Sequence, residues 1–513
     1  MKNIFLFVSV VFSTYCSYSQ ISFQKGYKGQ FSSFANSASL TFDKGYIIVG
    51  SDHEGTGNNW NVYLIKTDSI GNILWTKTYS TPEMDHGGFV QQTVDSGYIV
   101  VGYTISYNLS DTDIFLLKTN SSGDTLWSKR YIEPGIGNNY SFGVEQCQDG
   151  GYIFSGTGFL GGFLCKTDNS GNIIWTKSFE GANWLRPVQP HQTLDGGYVY
   201  TFSRDLPLGN TNIQLIKTDS SGNLSWSKMY DIGGSDRALA VIQTSDGGYI
   251  ITGTSNLTLN ANYITLIKTD SLGNVIWAKH FGGSYGDVSF DVVQTSDGGF
   301  ITAGKTAFGS GSGDAYVVKC DSSGNLLWSK SYSPMANGYG YSIQQTLDYG
   351  FIIAGSGTPS GSVYFIKTDS LGNSGCNQYN VPTIENTPTI INLTPPTLIS
   401  NVTFTVDSTS FAVGNGGTMT DFCTTGIAPN IDINPITIVP NPNSGNFIVS
   451  TGDTFINGKI EIFSVVGNAI YSDILNNNSS KSINLFNIPS GIYYIKISYR
   501  GNSYCKKLII ERV

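Results

Sequence analysis

Charge is scarce in this chain. Only 13% of its 513 residues are Asp, Glu, Lys or Arg, and the balance is acidic at −8. A dense basic face, which nucleic-acid binding needs, is therefore missing. Nothing favours an anionic membrane surface either. Sustained 3.6-residue periodicity is absent, so no long helix is expected. The four histidines, His53, His86, His191 and His280, lie in different parts of the chain, and no HExxH occurs. That removes the zinc-hydrolase motif. The cysteines show no CxxC spacing, which argues against structural zinc. No cofactor motif and no catalytic set is legible. After the first 20 residues no apolar run is long enough to span a bilayer.

What is abundant is glycine, at 61 residues, with 30 Tyr and 28 Phe. Gly-rich turns between aromatic, β-branched runs indicate an all-β protein of more than one core. Residues 1–19 read as a signal peptide. Lys2 supplies the positive end, Ile4 to Phe12 the apolar stretch, and Ser17 and Ser19 the small residues before cleavage at Gln20. A lipoprotein acylated on Cys16 is the alternative, with Tyr15 where that site wants a small residue. Cys165 and Cys320 fall inside expected strands and read as core residues. Cys376 and Cys423 flank a loose segment and are candidates for a disulfide.

The chain repeats itself. An apolar run ending in Lys-Thr-Asp or a variant recurs at Lys66, Lys118, Lys166, Lys217, Lys268, Lys319 and Lys367, at separations of 52, 48, 51, 51, 51 and 48. A period near fifty with only β signals is the spacing of propeller blades. Each unit holds four strands, as in Leu239 to Thr244, Tyr249 to Gly253, Ile264 to Lys268 and Val275 to Phe281. Asp246-Gly247-Gly248 joins the first two, and Asp270 to Asn274 the last two. Such turns need positive φ. Tryptophans at 75, 127, 175, 226, 277 and 328 mark only six fourth strands. Phe23-Gln24-Lys25-Gly26-Tyr27 fits the missing seventh. A seven-bladed β-propeller closed by the N-terminal strand, residues 20–375, is therefore expected. Closure also removes the exposed sheet edge of an open array.

Several features read as structure rather than chemistry. The recurrent Trp and Tyr are core residues packing one blade on the next. The Asp-Ser-x-Gly-Asn turns lack the alternating acids of an EF-hand loop, and Asp and Asn are turn formers. Gly282-Gly283-Ser284-Tyr285-Gly286 matches a nucleophile elbow in letters but sits between blades, not between strand and helix. Asp85, Asp236 and Asp287 lie near blade connections, with nothing selecting a catalytic pair.

One end of the ring carries short, uniform turns. The other carries connections of variable length and unusual residues, namely Trp60, Tyr107, Tyr140, Trp184, Arg186, Arg237, Tyr285 and Tyr339. Variation confined to one end of a repeat protein marks its binding face. Aromatics with Asn, Asp and Arg suit sugars or polar peptide surfaces.

The run Asp246-Gly247-Gly248-Tyr249, then Leu266 to Asp270, then Gly273 to Trp277, resembles the β-propeller repeats of secreted bacterial proteins. That resemblance implies fold, not activity. Residues 376–432 change character and read as an extended linker broken by Pro382, Pro388, Pro395 and Pro396. Strands resume over 433–513 in a pattern fit for a small immunoglobulin-like β-sandwich. Pro440-Asn441-Pro442, Gly467, Gly491-Ile492-Tyr493 and Lys506-Lys507 together resemble the type A C-terminal sorting domain of the Bacteroidetes type IX secretion system. An ordinary immunoglobulin-like accessory domain is the alternative. The resemblance implies passage through the periplasm and recognition by the type IX machinery at the outer membrane, with release or anchoring there. Three functions remain open: a secreted or surface-bound module recognising a glycan or protein, a propeller-based polysaccharide lyase or glycosidase, and a structural spacer.

Overall fold

The computed structural model describes residues 21–423 and 436–511, leaving out 56–58, 106–111, 134–138, 159–160, 180–187, 207–208, 259–260, 283–285, 308–312, 334–337, 358–360, 394, 396, 398, 442, 465–468, 486–487 and 500–501. The expected signal peptide lies outside these residues. The chain divides into two compact units, one of Gln20–Cys423 and one comprising Thr424–Val513. Among the described residues there is no helix, hence none able to cross a membrane.

The larger unit is propeller-like. Its described residues form seven five-stranded antiparallel sheets. In six of them four strands follow one another in sequence, as in Ser235–Gln243, Tyr249–Thr258, Ala261–Thr269 and Val275–Gly282 of the fifth sheet. The seventh sheet is assembled from both ends of the unit. Phe23–Lys28 pairs with Ser362–Thr368, Phe23 opposite Lys367, and supplies the strand that the repeat lacks.

A clip fastens every first turn. Lys268, its side chain 5% exposed, reaches Asp246 Oδ2 at 2.8 Å and donates to the Thr269 carbonyl at 2.9 Å. The same pair recurs as Lys66–Asp43, Lys118–Asp95, Lys166–Asp149, Lys217–Asp195, Lys319–Asp297 and Lys367–Asp348. A buried ammonium demands such partners. The second glycine of the turn is required by the clip. A Cβ on Gly248 would stand 2.1 Å from the Thr269 carbonyl and 2.7 Å from Lys268 Nζ.

Neighbouring sheets are joined by rings. Trp75 meets Tyr98 edge-on, and Trp127–Tyr152, Trp175–Tyr198, Trp226–Tyr249 and Trp277–Phe300 repeat the contact. Phe23 stands in for Trp against Tyr46, linking the last sheet to the first. Each such pair contributes about 0.5–1.5 kcal/mol beyond the area it buries. Buried tyrosines add a hydrogen bond across the same seams, Tyr79 donating to the Gly123 carbonyl at 2.6 Å and Tyr230 to that of Gly273 at 2.8 Å.

The segment expected as a linker is corrected over its first forty-eight residues, 376–423. It runs back along the sheets in reverse order and adds a short fifth strand to each. Gln378–Asn380 pairs with the sixth sheet and Ile384–Asn386 with the fifth. Ile391–Leu393, Ile399–Asn401, Thr405–Ser408 and Ala412–Gly414 pair with the fourth, third, second and first. Thr418–Asp421 ends on Phe23–Lys28. The reason is that each outer strand leaves a row of unpaired backbone groups, which a short strand satisfies. Pro382, Pro388 and Pro395 fall in the steps between sheets, where no ladder bond is lost. Cys376 and Cys423, at the two ends of this belt, are disulfide-bonded with Cα atoms 5.5 Å apart. Cys147, Cys165 and Cys320 are buried free thiols.

The smaller unit is a single ladder of Ile436–Val439, Asn446–Ser464, Ala469–Asn484, Gly491–Tyr499 and Asn502–Ile510. Alternation marks Asn446 to Ser450, Gly458 to Val465, Ala469 to Ile474 and Ser482 to Leu485 as separate strands, but they are continuous in pairs: Asn446–Ser464 absorbs the first two and Ala469–Asn484 the last two. Register shifts between Ser450 and Gly458 let one strand bend where two were expected. Phe447, Val449, Ile460, Ile462, Ile495 and Leu508 centre its core.

Candidate functional site

The first strands of all seven sheets line one cavity of about 320 Å³. Its geometry follows from register. The last residue of each first strand faces the aromatic residue that opens the second, as Gln345 faces Phe351 and Gln243 faces Tyr249. Six residues earlier, six of the seven first strands present one side chain at the end remote from the Asp-x-Gly turns, the equivalent position of the fourth lying outside the described residues. These are Phe34, His86, Tyr140, Arg237, Val288 and Tyr339, opposite Ser51, Tyr103, Thr157, Thr254, Lys305 and Ser356.

A bulge sets these positions. The register slips just after Phe34, His86, Arg237, Val288 and Tyr339, and their carbonyls lean onto a glycine of the second strand. A Cβ on Gly253 would lie 1.9 Å from the Arg237 oxygen, and one on Gly355 only 1.6 Å from that of Tyr339. Glycine permits the approach, and the bulge re-aims the side chain at the mouth.

On the first three sheets the mouth is aromatic. Trp60, half-buried, packs against Phe34 at 5.3 Å, His53 at 5.0 Å and His86 at 5.7 Å. His86 stacks on Tyr103 at 4.9 Å, and Tyr103 meets Tyr140 edge-on at 4.8 Å. Burial lowers the His86 pKa to about 4, so its ring is neutral and stacks as an aromatic, held by Ser51 Oγ at 3.0 Å.

On the fifth to seventh sheets the mouth is cationic. A notch of about 350 Å³ is lined by Arg237, Lys305, Asn256, Asn262, Leu239 and Phe290. It shares Leu239 and Phe290 with the central cavity. Arg237 is exposed. Lys305 Nζ lies 5.1 Å above the Tyr339 ring, which stacks on Tyr341 at 5.6 Å, and Tyr341 lies 5.0 Å from Phe290.

Deeper in the cavity, His191 Nδ1 is 2.7 Å from Glu145 Oε2. Asp291 accepts the N–H groups of Ile343 and Val292 at 2.9 and 2.8 Å, and burial pushes its pKa up to about 6. No cluster of His, Cys, Asp or Glu that could hold a metal occurs among the described residues.

The residues expected at the site divide. Trp60 and Tyr140 come together in one string of rings, Arg237 lines the notch, and Tyr339 lies under the Lys305 ammonium that lines it too. Tyr107, Trp184, Arg186 and Tyr285 lie outside the described residues. The histidines, read as scattered, are partly gathered, since His53 and His86 flank Trp60. Two of the acids near sheet connections, Asp85 and Asp236, hold backbone groups. Asp85 accepts the Thr81 N–H, and Asp236 those of Ile232 and the Ser255 hydroxyl, and burial raises both to about 6. In the Asp-Ser-x-Gly-Asn turns the carboxylate is consumed locally, Asp270 accepting from Leu272, Asn274 and the Asn274 amide. Phe34, Tyr103, Phe290, Lys305 and Tyr341 were missed. Counting six back from the Gln before each turn would have found the ring to which Phe34 belongs.

In the smaller unit the expected motif residues shape the fold's edge. Asn441 Oδ1 accepts the Ile509 N–H at 2.8 Å, and Tyr493 donates to the Pro489 carbonyl at 2.8 Å. Pro440 follows a cis peptide bond, Gly491 opens a strand, and Lys506 is half-buried on the last one. Pro442, Gly467 and the Lys507 side chain lie outside the described residues.

Comparison with curated protein sequences returns no match. Among solved structures, the extracellular domain of a hybrid two-component system from B. thetaiotaomicron is similar at 9% identity and a TM-score of 0.37, over 93% of this chain and 55% of that one. This chain thus spans about half of that protein. An alpha-L-arabinanase from Penicillium chrysogenum aligns at 10% identity and TM-score 0.36, over 67% of this chain and 98% of that one. An alpha-L-arabinofuranosidase from Fusarium graminearum aligns at 11% and 0.37, over 67% and 97%. Likenesses this distant say nothing of what this chain binds or cleaves. The sequence family described as "Secretion system C-terminal sorting domain" matches residues 437–511, over the ladder that carries Asn441, Gly491 and Tyr493. The C-terminal unit of this chain is therefore a secretion system C-terminal sorting domain, and the chain is an exported protein.

Proposed function

We propose that the larger unit is a closed seven-bladed β-propeller that recognises a glycan or protein outside the cell. The type IX machinery delivers it, through the periplasm and the outer membrane, by way of residues 433–513, an immunoglobulin-like sandwich. The observation that carries the reading is the string Phe34–Trp60–His86–Tyr103–Tyr140. Five rings from three successive repeats meet at one end of the ring, where the fifth, sixth and seventh repeats carry Arg237, Val288 and Tyr339. Four partly exposed rings, Phe34, Trp60, Tyr103 and Tyr140, backed by the buried His86 ring, suit the flat faces of sugars or of protein side chains. The test is retention on surface glycans and matrix proteins by the full chain and by a Trp60→Ala/Tyr140→Ala variant. Retention is expected to fall at least about tenfold in the variant, the worth of one or two stacked rings. Equal retention would remove the site from this end.

A second reading, a polysaccharide lyase or glycosidase, is favoured by Glu145, His191 and Asp291 facing one cavity. Against it, His191 already pairs with Glu145, and Asp291 holds two backbone N–H groups. Release of new reducing ends or unsaturated products from a panel of polysaccharides, abolished by Glu145→Gln, would establish it over the binding reading.

A further inference from the structure

Resting on that reading, we infer that the notch between the fifth and sixth sheets takes an anionic saccharide unit, carboxylated or sulfated. Four observations converge there. The first is charge. The chain is acidic at −8, and the buried lysines of all seven turns are neutralised by an aspartate. Arg237 and Lys305 are different: among the described residues neither has an ion-pair partner, and both line one concavity. Two cations held together without a carboxylate repel each other, and an anion between them relieves that.

The second is shape. At about 350 Å³ the notch is at the lower end of small-ligand sites, and it adjoins the central cavity, with which it shares Leu239 and Phe290 as lining residues. The third is the wall. Phe290, Tyr341 and Tyr339 form a run of rings beside the cations, with the Lys305 ammonium over Tyr339. A pyranose presents an apolar face of C–H groups to such a wall. The fourth is the amides of Asn256 and Asn262, which offer both donors and acceptors to ring hydroxyls. An anionic group at the guanidinium, a ring against Phe290 and hydroxyls at the amides together describe an acidic sugar. A neutral glycan would leave the cations unpaired, and an apolar peptide would bury them.

Titration calorimetry of the full chain with an oligogalacturonate, its carboxyl-reduced neutral counterpart and a chondroitin sulfate oligosaccharide tests this. Binding of at least one acidic probe is expected, weakening with added salt, with the neutral probe bound at least about tenfold more weakly. The carboxylated and sulfated arms say which acid is preferred. Arg237→Gln/Lys305→Gln is expected to lose about tenfold or more on the acidic probe while its melting temperature is unchanged. Equal binding of acidic and neutral probes, or acidic binding untouched in the double variant, would overturn the inference and leave the binding reading standing. Binding to protein partners alone, with no saccharide bound, would also overturn it. Loss of all binding, to saccharides and matrix proteins alike, would overturn both.

Discussion

The two ends of the sheets obey different rules. At the turn end the repeats do nearly the same thing: an Asp-x-Gly turn, a buried Lys, an ion pair and, in six of the seven, a Gln from the next sheet accepting the N–H of the residue at the turn's tip, as Gln146 does for Val94 and Gln243 for Leu194. At the mouth end the same backbone bulge presents Phe, His, Tyr, Arg, Val and Tyr in turn. The backbone repeats and the side chain does not. A position whose geometry is enforced and whose identity is free is where a repeat scaffold can acquire specificity. The turn end is not featureless, for Phe42, Val94, Leu194 and Leu347 stand exposed on its tips. They share one structural slot, which the other three repeats fill with Gln148, Ser245 and Ser296, whereas the mouth mixes rings and cations.

Substitutions can sharpen this division, beginning with the belt that serves both ends. Cys376→Ser is expected to destabilise the larger unit by about 4 kcal/mol, the loop entropy of a crosslink closing some fifty residues. Denaturant melts under oxidising and reducing conditions check it, the wild-type chain under reduction falling to the level of the variant. Gly253→Ala forces a Cβ onto the Arg237 carbonyl and is expected to cost about 3 kcal/mol and to disturb the notch, read in the same melts and in acidic-saccharide binding.

At the turn end, Asp246→Ala leaves Lys268 buried with only a carbonyl for company. The expected cost is about 2 kcal/mol, reduced from a fully buried pair because Asp246 is itself more than half exposed. The pH dependence has a definite sign. Burial alone would raise the Asp246 pKa, but Lys268, the Thr244 hydroxyl and the Gly248 N–H hold it down to about 2, below the usual 3.8. Its contribution is thus complete above about pH 4 and is lost as pH falls toward 2. The wild-type melting temperature should drop over that window, and Asp246→Asn should flatten the drop. The smallest stability effect belongs to the mouth. Arg237→Gln is expected to stay within about 0.5 kcal/mol of wild type while binding changes. A variant losing stability there in proportion to binding would break the division between the ends.

Much of this was legible in the sequence because repetition exposes it. Seven copies of Lys-Thr-Asp or a close variant set the period, and the lack of a Trp for the seventh fourth strand pointed to Phe23, which the structure places opposite Lys367. The belt was not legible. Three-residue strands such as Ile391–Leu393 carry too few residues to show alternation, and the partners of that strand, Asp231 to Met229, lie far away in the sequence. Prolines, read as marks of a linker, are the steps between sheets. The mouth was half legible. Trp60 and Arg237 stood out as odd residues in a repeat, but Tyr103 and Tyr341 sit inside ordinary strands, and only register brings them to the rings. The expected separate strands of the sorting domain merged because a bend, unlike a turn, leaves no Gly-Pro signature that sets it apart.

The central claim is that recognition belongs to the mouth end and not to the turn end. The most direct measurement is binding of the full chain to immobilised glycans and matrix proteins, comparing wild type, Trp60→Ala/Tyr140→Ala, and Val94→Ser/Leu194→Ser/Leu347→Ser. Binding lost in the first variant and kept in the second is the predicted result. Binding kept in the first and lost in the second would move recognition to the apolar tips of the turns and contradict the account.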